Sequence, residues 1–204
     1  MIVGLCGGIG SGKSFVSEIM KTKGIYIIDA DVIARDLVRK GSHILQQIIN
    51  VFGNRIVREN GELDRSALGK IVFSNSDELD KLDKIMHPEI YNKIENEIAK
   101  LTLAGENAIL IDAAILKKIG LDKLCDSIWY ISASREIRIN RVINRNSLSR
   151  EEAETRVDSQ DENDFCFTND INKVEINNEG TLEELTIKIN NVFNKYFGEE
   201  IEKN

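Results

Sequence analysis

The sequence predicts an α/β fold, in which helices flank a five-stranded parallel sheet. Three observations support this prediction: five short apolar segments recur along the 204 residues, amphipathic helical stretches separate them, and a glycine-rich loop follows the first segment. Strands that alternate with helices are typical of a parallel sheet covered on both faces. The five strand candidates are IVGLC, IYIID, AILIDAAIL, SIWYISA and KVEIN.

The loop after the first strand contains four glycines between residues 7 and 12. Glycine loses more conformational entropy on folding than other residues, so this cluster indicates a chemical purpose. Gly7, four further residues and then Gly12, Lys13 and Ser14 match the P-loop pattern G-x-x-x-x-G-K-[ST], and the helical stretch KSFVSEIMKTK follows as the motif requires. The dinucleotide-binding pattern G-x-G-x-x-G does not fit in either register.

The P-loop predicts the binding of a nucleoside triphosphate together with Mg²⁺. Phosphate would be bound by the backbone N–H groups and by the positive N-terminal end of the helix. Lys13 would reach the β- and γ-phosphates, and the Ser14 hydroxyl would bind Mg²⁺. The loop residues expected to contact the nucleotide are Gly8, Ile9, Gly10, Ser11, Gly12, Lys13, Ser14 and Phe15.

Composition excludes several other classes of protein. A net charge of −7 argues against a general nucleic-acid partner. No apolar run approaches the roughly 18–20 residues that span a bilayer, and no basic segment precedes the first apolar run, so we expect a cytoplasmic protein without a membrane partner. Cys6, Cys125 and Cys166 are widely spaced, and His43 and His87 are far apart, which argues against a zinc site. We expect a monomer or a weak homo-oligomer.

The second strand candidate ends in IDADVIAR. Asp29 and Asp31 stand two residues apart, so in an extended segment both side chains would leave on the same face. Ligands bind at the carboxyl edge of such sheets, and we interpret Asp31 as the catalytic base or acceptor-orienting group. For Asp29, the capping of a helix that begins near Val32 and a place in the metal shell remain alternatives to catalysis.

The interval from Asp64 to Lys100 contains no comparable strand and predicts a helical insertion on the substrate side. Its apolar residues recur at helical spacing, and Pro88, the single proline, is predicted to mark a helix start. His87 fits the support of a helix turn better than acid–base chemistry. Helical spacing is shown by Leu68, Ile71, Val72, Phe73, Leu79, Leu82, Ile85 and Met86.

Two features follow in the second half of the chain. Asp112 closes the strand candidate AILID, where it could hold Mg²⁺ through water or simply be a polar strand terminus. Thr181 and Glu184 form the capping-box pattern, which predicts a closing helix.

Arg138, Arg141 and Arg145 share one face of a predicted helix, and Arg150 and Arg156 follow. In an acidic protein this basic stripe favours a lid that clamps phosphate oxygens and closes over the nucleotide. The alternative is a solvated helix whose arginines form ion pairs. The acidic partners available for such pairs are Glu136, Glu151, Glu152 and Glu154.

Six segments, found in this order, carry a resemblance to a known family: GLCGGIGSGKS, IDADVIAR, GELDRSALGKIVF, MHPEI, RVINRNSLSREEAETRVDSQ and INNEGTLEEL. Together they cover essentially the whole chain and resemble the dephospho-coenzyme A kinase family. The resemblance implies a P-loop kinase core with a helical acceptor-binding insertion and a helical lid. It also implies that ATP phosphorylates the 3′-hydroxyl of the dephospho-CoA ribose, the last step of coenzyme A synthesis.

The resemblance implies roles for particular residues. Asp31 is similar to the family's catalytic base, and Arg141 to a lid arginine that meets the ATP phosphates. Asn178 and Gly180 match a loop beside adenine. The catalytic residues would be Asp31, Lys13 and Arg141, and the acceptor site would include Asp31, Arg65 and His87.

The expected organisation is a single P-loop kinase domain. Its core would comprise residues 1–60, 101–137 and 170–204, with the CoA-binding insertion at about 61–100 and the lid at about 138–169.

The chain departs from the family pattern at three places. Phe15 stands where threonine is usual, Ala114 and Lys118 replace a proline and a glutamate, and the stretch after Gln160 is acidic and aromatic. Another small-metabolite or nucleotide kinase on the same core therefore remains an alternative. A GTP-dependent switch is disfavoured, because the sequence has no D-x-x-G.

Overall fold

The computed structural model describes residues 1–159 and 172–201, with side chains up to residue 198 in the last helix. The strands are β1 (Ile2–Gly7), β2 (Tyr26–Asp29), β3 (Ile109–Asp112), β4 (Ser127–Ser132) and β5 (Asn172–Asn177). They form one sheet in the order β2-β3-β1-β4-β5. The first strand pairs in parallel with both β3 and β4, and β4 pairs in parallel with β5. All five predicted strands are confirmed.

Nine α-helices lie in the described part of the chain. They are α1 (Lys13–Thr22), α2 (Ala30–Leu37), α3 (His43–Phe52), α4 (Arg65–Val72), α5 (Ser76–Leu103), α6 (Leu116–Ile119), α7 (Arg135–Asn146), α8 (Arg150–Asp158) and α9 (Leu182–Ile201). The strands alternate with helices as predicted. The interval between Asp64 and Lys100 is helical, which is also as predicted.

The chain divides into two compact units. The first unit contains Met1–Ile28 and the chain from Ile98 onward. Its core surrounds Trp129 of β4, which is fully buried and contacts the Tyr196 and Phe197 rings at centroid distances of 5.9 Å. Other buried members of this core are Val3, Leu5, Val16, Met20, Leu110, Leu185, Ile189 and Phe193.

Two local features of the first unit bear on the site. The predicted capping box of α9 is confirmed: Glu184 accepts a hydrogen bond from the Thr181 N–H at 3.0 Å, and its own N–H donates to the Thr181 hydroxyl at 3.2 Å. Helices α7 and α8 share a small apolar cluster, against which Ile9 of the P-loop packs. The buried members of that cluster are Ile139, Val142, Ala153 and Val157.

The second unit, Asp29–Glu97, has an apolar cluster of its own. Helices α3, α4 and α5 all contribute to it, because the residues at helical spacing form one face of each helix. The buried members are Val38, Ile44, Ile48, Phe52, Ile56, Leu68 and Val72.

The prediction that Pro88 marks a helix start is wrong, because Pro88 lies inside α5. A proline within a helix removes a backbone hydrogen bond and costs about 3 kcal/mol. Apolar residues on both sides offset this cost: Ile85 packs against the core of the second unit, and Ile90 and Ile94 are buried. Tertiary packing therefore allows α5 to continue past Pro88.

None of the helices described in residues 1–159 and 172–201 combines the length and the hydropathy that crossing a membrane requires.

Candidate active site

The P-loop connects β1 to α1 and depends on glycine at two positions. Gly10 and Gly12 have φ angles of 79° and 100°, in the left-handed region that side chains disfavour. A Cβ atom on Gly10 would also lie 2.6 Å from the Arg138 carbonyl oxygen, which is too close for any real contact. Backbone conformation and space therefore both require glycine at position 10.

Some of the loop's N–H groups are already bonded within the loop. The Ser11 N–H donates to the Gly8 carbonyl, and the Phe15 N–H donates to the Gly12 carbonyl, both at 3.0 Å. The N–H groups of Lys13 and Ser14, the first two residues of α1, have no partner inside the helix. An anion bound at this turn would therefore meet α1 through the N–H groups of its first residues.

Phe15, the departure from the family pattern, does not disturb the loop. Its side chain packs against the core of the first unit, which includes Val16 and Leu5. Only its backbone belongs to the P-loop, so an aromatic side chain is compatible with the site.

Two arginines of α7 bind the carbonyl side of the P-loop. Arg138 donates from Nε to the Ile9 carbonyl at 3.0 Å. Arg141 approaches the Gly10 and Ser11 carbonyls, each at 3.4 Å from its Nη1. Both guanidinium groups are half-buried. The predicted basic helix therefore meets the loop through these two side chains.

Asn178, which follows β5, also binds the P-loop. Its side-chain N–H donates to the Ser11 carbonyl at 2.7 Å. The Nη2 of Arg141 donates to the Asn178 backbone carbonyl at 3.1 Å and to its side-chain oxygen at 3.3 Å. Asn178 is buried, so a single buried side chain joins the loop to an arginine of α7.

Glu179 is a site residue that the sequence reasoning missed. Its carboxylate accepts hydrogen bonds from the backbone N–H of Ser134 at 2.6 Å and from the Ser134 hydroxyl at 3.0 Å. Ser134 is the N-cap of α7, so Glu179 holds the start of the helix that carries Arg138 and Arg141. Glutamate at that position has no recognisable local pattern, because its partner lies 45 residues away.

Lys13 forms an ion pair with Asp112. Asp112 ends β3 and is paired with Leu5 of β1, so the sheet places its carboxylate near the start of α1. Asp112 is buried. The position of Asp112 in the sequence predicts a metal ligand or a polar strand terminus and does not indicate this pair. To bind phosphate as predicted, the Lys13 ammonium would exchange the carboxylate for phosphate oxygens.

No group of three or more His, Cys, Asp and Glu side chains that could hold a metal ion occurs among the residues that the structure describes. Ser14 is exposed in the first turn of α1. Mg²⁺ usually keeps several waters and takes one or two protein ligands together with substrate phosphates. A hydroxyl beside a phosphate-binding loop therefore fits a metal that arrives with its nucleotide.

Arg145 and Arg150, two further arginines of the predicted stripe, have partners outside the P-loop. Arg145 donates to the Asn146 side chain at 3.1 Å. Arg150 forms ion pairs with Glu136 and Glu154, both at 2.8 Å. Arg150 therefore forms the ion pairs expected of the alternative, a solvated helix. The closure of these arginines as a lid over bound nucleotide stays a prediction.

The two described cysteines are poor nucleophiles. Burial raises the pKa of the Cys6 thiol to about 12, against the opposing effect of Lys173 and Lys13. Burial likewise raises the pKa of Cys125. Thiols with such pKa values stay protonated at neutral pH, so neither supports covalent catalysis. Cys166 lies outside the described residues.

Asp29 and Asp31 belong to the second unit and differ in their contacts. The Asp29 carboxylate accepts hydrogen bonds from the N–H groups of Asp31 at 2.8 Å and Val32 at 3.0 Å, which confirms that it caps α2. The helix begins at Ala30, so the expectation that both aspartates lie in an extended segment is wrong. Asp31 is exposed, and among the described residues its carboxylate has no hydrogen-bonding partner.

The remaining predicted acceptor residues also belong to the second unit. Arg65 is the first residue of α4 and is exposed. The N-cap of that helix is Asp64, whose pKa is lowered chiefly by the hydrogen bond from the Ala67 N–H. His87 lies within α5, where its Nε2 is 3.3 Å from the Asp83 carboxylate one turn earlier. This contact fits the predicted support of a helix turn.

Gly180, predicted to lie beside adenine, is exposed at a surface cavity of about 460 Å³. The cavity lies between the loop after β5 and the first turns of α9. Its lining residues are Glu179, Gly180, Glu184, Ile187 and Lys188. The sequence departure after Gln160 falls on residues 160–171, outside the described part of the chain.

Comparison with known proteins supports the resemblance. A family model described as dephospho-CoA kinase matches residues 1–184. A dephospho-CoA kinase of Carboxydothermus hydrogenoformans is 43% identical over 159 residues, which cover 78% of this chain and 77% of that protein. One of Fusobacterium nucleatum subsp. nucleatum is 40% identical over 189 residues, covering 93% and 95%.

A solved structure of a dephospho-CoA kinase is also similar to this chain in its fold. A dephospho-CoA kinase from Campylobacter jejuni matches with a TM-score of 0.69 at 25% identity, covering 95% of this chain and 96% of that one. The matches by sequence span both compact units, from the P-loop to the closing helix. This chain therefore belongs to the dephospho-CoA kinase family.

Proposed function

We propose that this protein transfers the γ-phosphoryl group of ATP to the 3′-hydroxyl of the dephospho-CoA ribose. The products would be coenzyme A and ADP, in the last step of coenzyme A synthesis. Family membership supports the choice of reaction. The observation that carries the proposal is the P-loop, whose carbonyls are bound by Arg138, Arg141 and Asn178. A cytoplasmic location and a monomeric or weakly oligomeric state remain predictions.

ATP would bind along the P-loop from Gly8 to Phe15, with the Lys13 ammonium on the β- and γ-phosphates. Arg141 would add positive charge beside the loop and stabilise charge that develops during transfer. The cavity at Gly180 offers a place for adenine close to the loop residue Asn178.

Asp31 is our candidate for the general base. In the reaction the 3′-oxygen of the acceptor forms a bond to the γ-phosphorus, and the bond from that phosphorus to the β–γ bridging oxygen breaks. The hydroxyl proton passes to the Asp31 carboxylate, and ADP leaves. The contacts favour Asp31 over Asp29 for this role, because one oxygen of the Asp29 carboxylate, Oδ1, accepts both hydrogen bonds that cap α2.

The acceptor would be held by the second unit, through Arg65 and His87 in addition to Asp31. An arginine in the first turn of a helix suits the anionic groups of dephospho-CoA. The helical insertion at about 61–100 would provide this binding surface, and residues of about 138–169 would serve as the lid.

Mg²⁺ would be held by Ser14 and the nucleotide phosphates, with Asp112 or Asp29 as further candidate ligands through water. Bound there, the metal would neutralise charge on the β- and γ-phosphates. The exposed Ser14 hydroxyl at the start of α1 is the observation that fits this role.

A panel of acceptors tests the proposed function. Purified protein with Mg²⁺ and ATP should release ADP on addition of dephospho-CoA, and the product should carry the new phosphate on the 3′-oxygen. Parallel reactions with AMP, with a nucleoside and with a simple sugar should give little more than the background rate. A stronger response to one of those acceptors would overturn the assignment in favour of another small-metabolite kinase.

A matched pair of substitutions tests the base. Asp31→Asn should lower kcat by about 10²–10⁴-fold with little change in the affinity for ATP, because proton acceptance is lost while nucleotide binding is kept. Asp36→Asn is the control, because Asp36 is exposed on the same helix and its carboxylate forms an ion pair with Arg39, away from any proposed role in the site. Equal kcat values for the two variants would remove Asp31 from the chemistry.

A further inference from the structure

Both polar atoms of the Asn178 side chain, the amide nitrogen and the amide oxygen, form hydrogen bonds with other residues of the protein. Its N–H group donates to the Ser11 carbonyl at 2.7 Å, and its oxygen accepts from Arg141 at 3.3 Å. The backbone N–H of Asn178 donates to the Ser132 carbonyl at 2.7 Å, which fixes the residue at the end of the sheet. Only 3% of Asn178 is exposed. A side chain held in this way is poorly placed to recognise a base.

The contact with the loop falls at the Ser11–Gly12 peptide, one residue before the phosphate-binding lysine. A Cβ atom on Gly12 would collide with the side-chain nitrogen of Asn178. Asn178 therefore packs directly against the Ser11–Gly12 peptide, and Lys13 is the next residue. Any rotation of that peptide would be resisted by the hydrogen bond and by steric contact.

Peptide geometry converts this contact into a constraint on phosphate binding. In a planar trans peptide the C=O and the following N–H point in opposite directions. When Asn178 holds the Ser11 carbonyl, the Gly12 N–H points the opposite way within the plane of that peptide. Backbone N–H groups that converge in this way form the concavity that binds anions in loops of this kind.

We propose that Asn178 is a positioning residue, which orients the Gly12 N–H for the phosphates and holds the Arg141 guanidinium beside the loop. This inference rests on the proposed function, because it assumes that the P-loop binds a triphosphate. It differs from the role that the resemblance implies, a contact beside adenine. Asn178 acts on the phosphates through Ser11, Gly12 and Arg141.

The neighbouring residue supports the same interpretation. Glu179 accepts two hydrogen bonds from Ser134 at the start of α7. Two consecutive residues after β5 therefore hold different elements: Asn178 binds the P-loop, and Glu179 binds the start of α7, which supplies Arg141. Through these contacts the loop after β5 sets the position of α7 relative to the P-loop.

The test compares a ligand that has a base with one that has none. Binding of ATP and of inorganic tripolyphosphate, each with Mg²⁺, is measured by calorimetry for the wild type and for Asn178→Asp and Asn178→Ala. The aspartate variant keeps an acceptor for Arg141 but replaces the donor to Ser11 with an oxygen. The alanine variant removes the same donor without adding charge. With the 2.7 Å donor lost, the Ser11 carbonyl keeps only the longer contact from Arg141, which should weaken the binding of both ligands by the same factor, about tenfold.

The matched control is Asn177→Asp. Asn177 is adjacent, is exposed, and contacts Lys188 through its backbone carbonyl alone. It adds the same negative charge one residue away, so it should leave the affinities for both ligands within about twofold of the wild type. Fluorescence of Trp129, the single tryptophan, reports whether each variant is folded.

The outcomes are distinct. Weaker binding of ATP with unchanged binding of tripolyphosphate would show a contact with the nucleoside and overturn the inference, as would unchanged binding of both. If the wild type bound neither ligand, the proposed function itself would fail.

A measurement that needs no variant covers the case in which both substitutions prevent folding. In ¹⁵N-labelled wild-type protein, the side-chain amide signal of Asn178 should shift alike on addition of tripolyphosphate and of ATP. A shift that only ATP produces would refute the positioning role.

Discussion

Two pairs of arginines on the α7–α8 hairpin have opposite environments. The inner pair, Arg138 and Arg141, is half-buried and donates to backbone carbonyls of the P-loop. The outer pair, Arg135 and Arg150, is exposed and donates to the carboxylates of Asp158 and of Glu136 and Glu154. The inner arginines therefore contact the P-loop, whereas the outer arginines link α7 to α8.

The difference lies in the charge of the partners. The described acceptors of Arg141 are the neutral carbonyls of Gly10 and Ser11 and the neutral groups of Asn178, so within residues 1–159 and 172–198 no carboxylate is bonded to it. The charge of Arg150 is compensated by two glutamates, which raise its pKa. An uncompensated guanidinium beside an anion-binding loop attracts phosphate, whereas a compensated one stabilises local structure.

The largest effect that distinguishes the two pairs is expected from Arg141→Ala. This change removes the positive charge beside the proposed phosphate site. It also removes the hydrogen bonds that Arg141 donates to Asn178. It should lower kcat/KM for ATP about 10³-fold, at the lower end of the effect of arginines in phosphoryl transfer. Steady-state kinetics with dephospho-CoA as acceptor measure this loss.

The control for that experiment is Arg135→Ala, on the same helix. Arg135 is exposed and bonded to Asp158, away from the loop carbonyls. Its kcat/KM should stay within about twofold of the wild type. Equal losses in both variants would mean that the inner and outer pairs do not differ in function.

A smaller effect is expected from Arg138→Ala, which removes the hydrogen bond that Arg138 donates to the Ile9 carbonyl. A hydrogen bond that involves a charged group contributes about 1.5–3 kcal/mol, so ATP binding should weaken by about tenfold or more. Arg138→Lys should recover little, because lysine lacks the planar Nε–H that makes the bond. Calorimetric titration with ATP is the measurement. Full recovery by lysine would reduce the role of Arg138 to its charge.

Local patterns in the sequence were sufficient for the strands, the P-loop and the capping box at Thr181. Each depends on residues that are close in the chain, so periodicity and motif spacing reveal it. The capping role of Asp29 is also local, since its partners are Asp31 and Val32, and it was one of the alternatives that the sequence left open. The expectation that Asp31 lies in an extended segment was wrong. Asp29 caps α2, and the helix begins at Ala30, one residue before Asp31.

The contacts that organise the site could not be read from the sequence. Asn178 meets Ser11 across 167 positions, and Lys13 meets Asp112 across 99. Spacing carries no information about such pairs, which exist because the sheet brings the ends of β1, β3 and β5 to one edge. The division of the arginine stripe is of the same kind. Helical spacing places its members on one face, but only the packing of α7 decides which of them reach the loop.

The smallest effect concerns the outer pair and the pH dependence of stability. The hydrogen bond from Arg135 lowers the pKa of Asp158 below its ordinary value of 3.8. A carboxyl whose pKa is depressed in the folded state stabilises the fold above its unfolded pKa, and this contribution is lost as the pH falls through the folded value. Arg135→Gln should therefore lower Tm slightly at neutral pH and reduce the acid dependence of Tm below about pH 4.

Thermal unfolding of wild type, Arg135→Gln and Asp158→Asn between about pH 7 and pH 2 checks this. The two variants should behave alike, because each removes one partner of the same pair, and their difference from the wild type should shrink at high salt because both partners are exposed. Parallel Tm curves for wild type and variant across this range would show that the pair contributes nothing. Turnover at neutral pH should be unaffected, since the outer pair joins α7 to α8 while the inner pair alone contacts the P-loop.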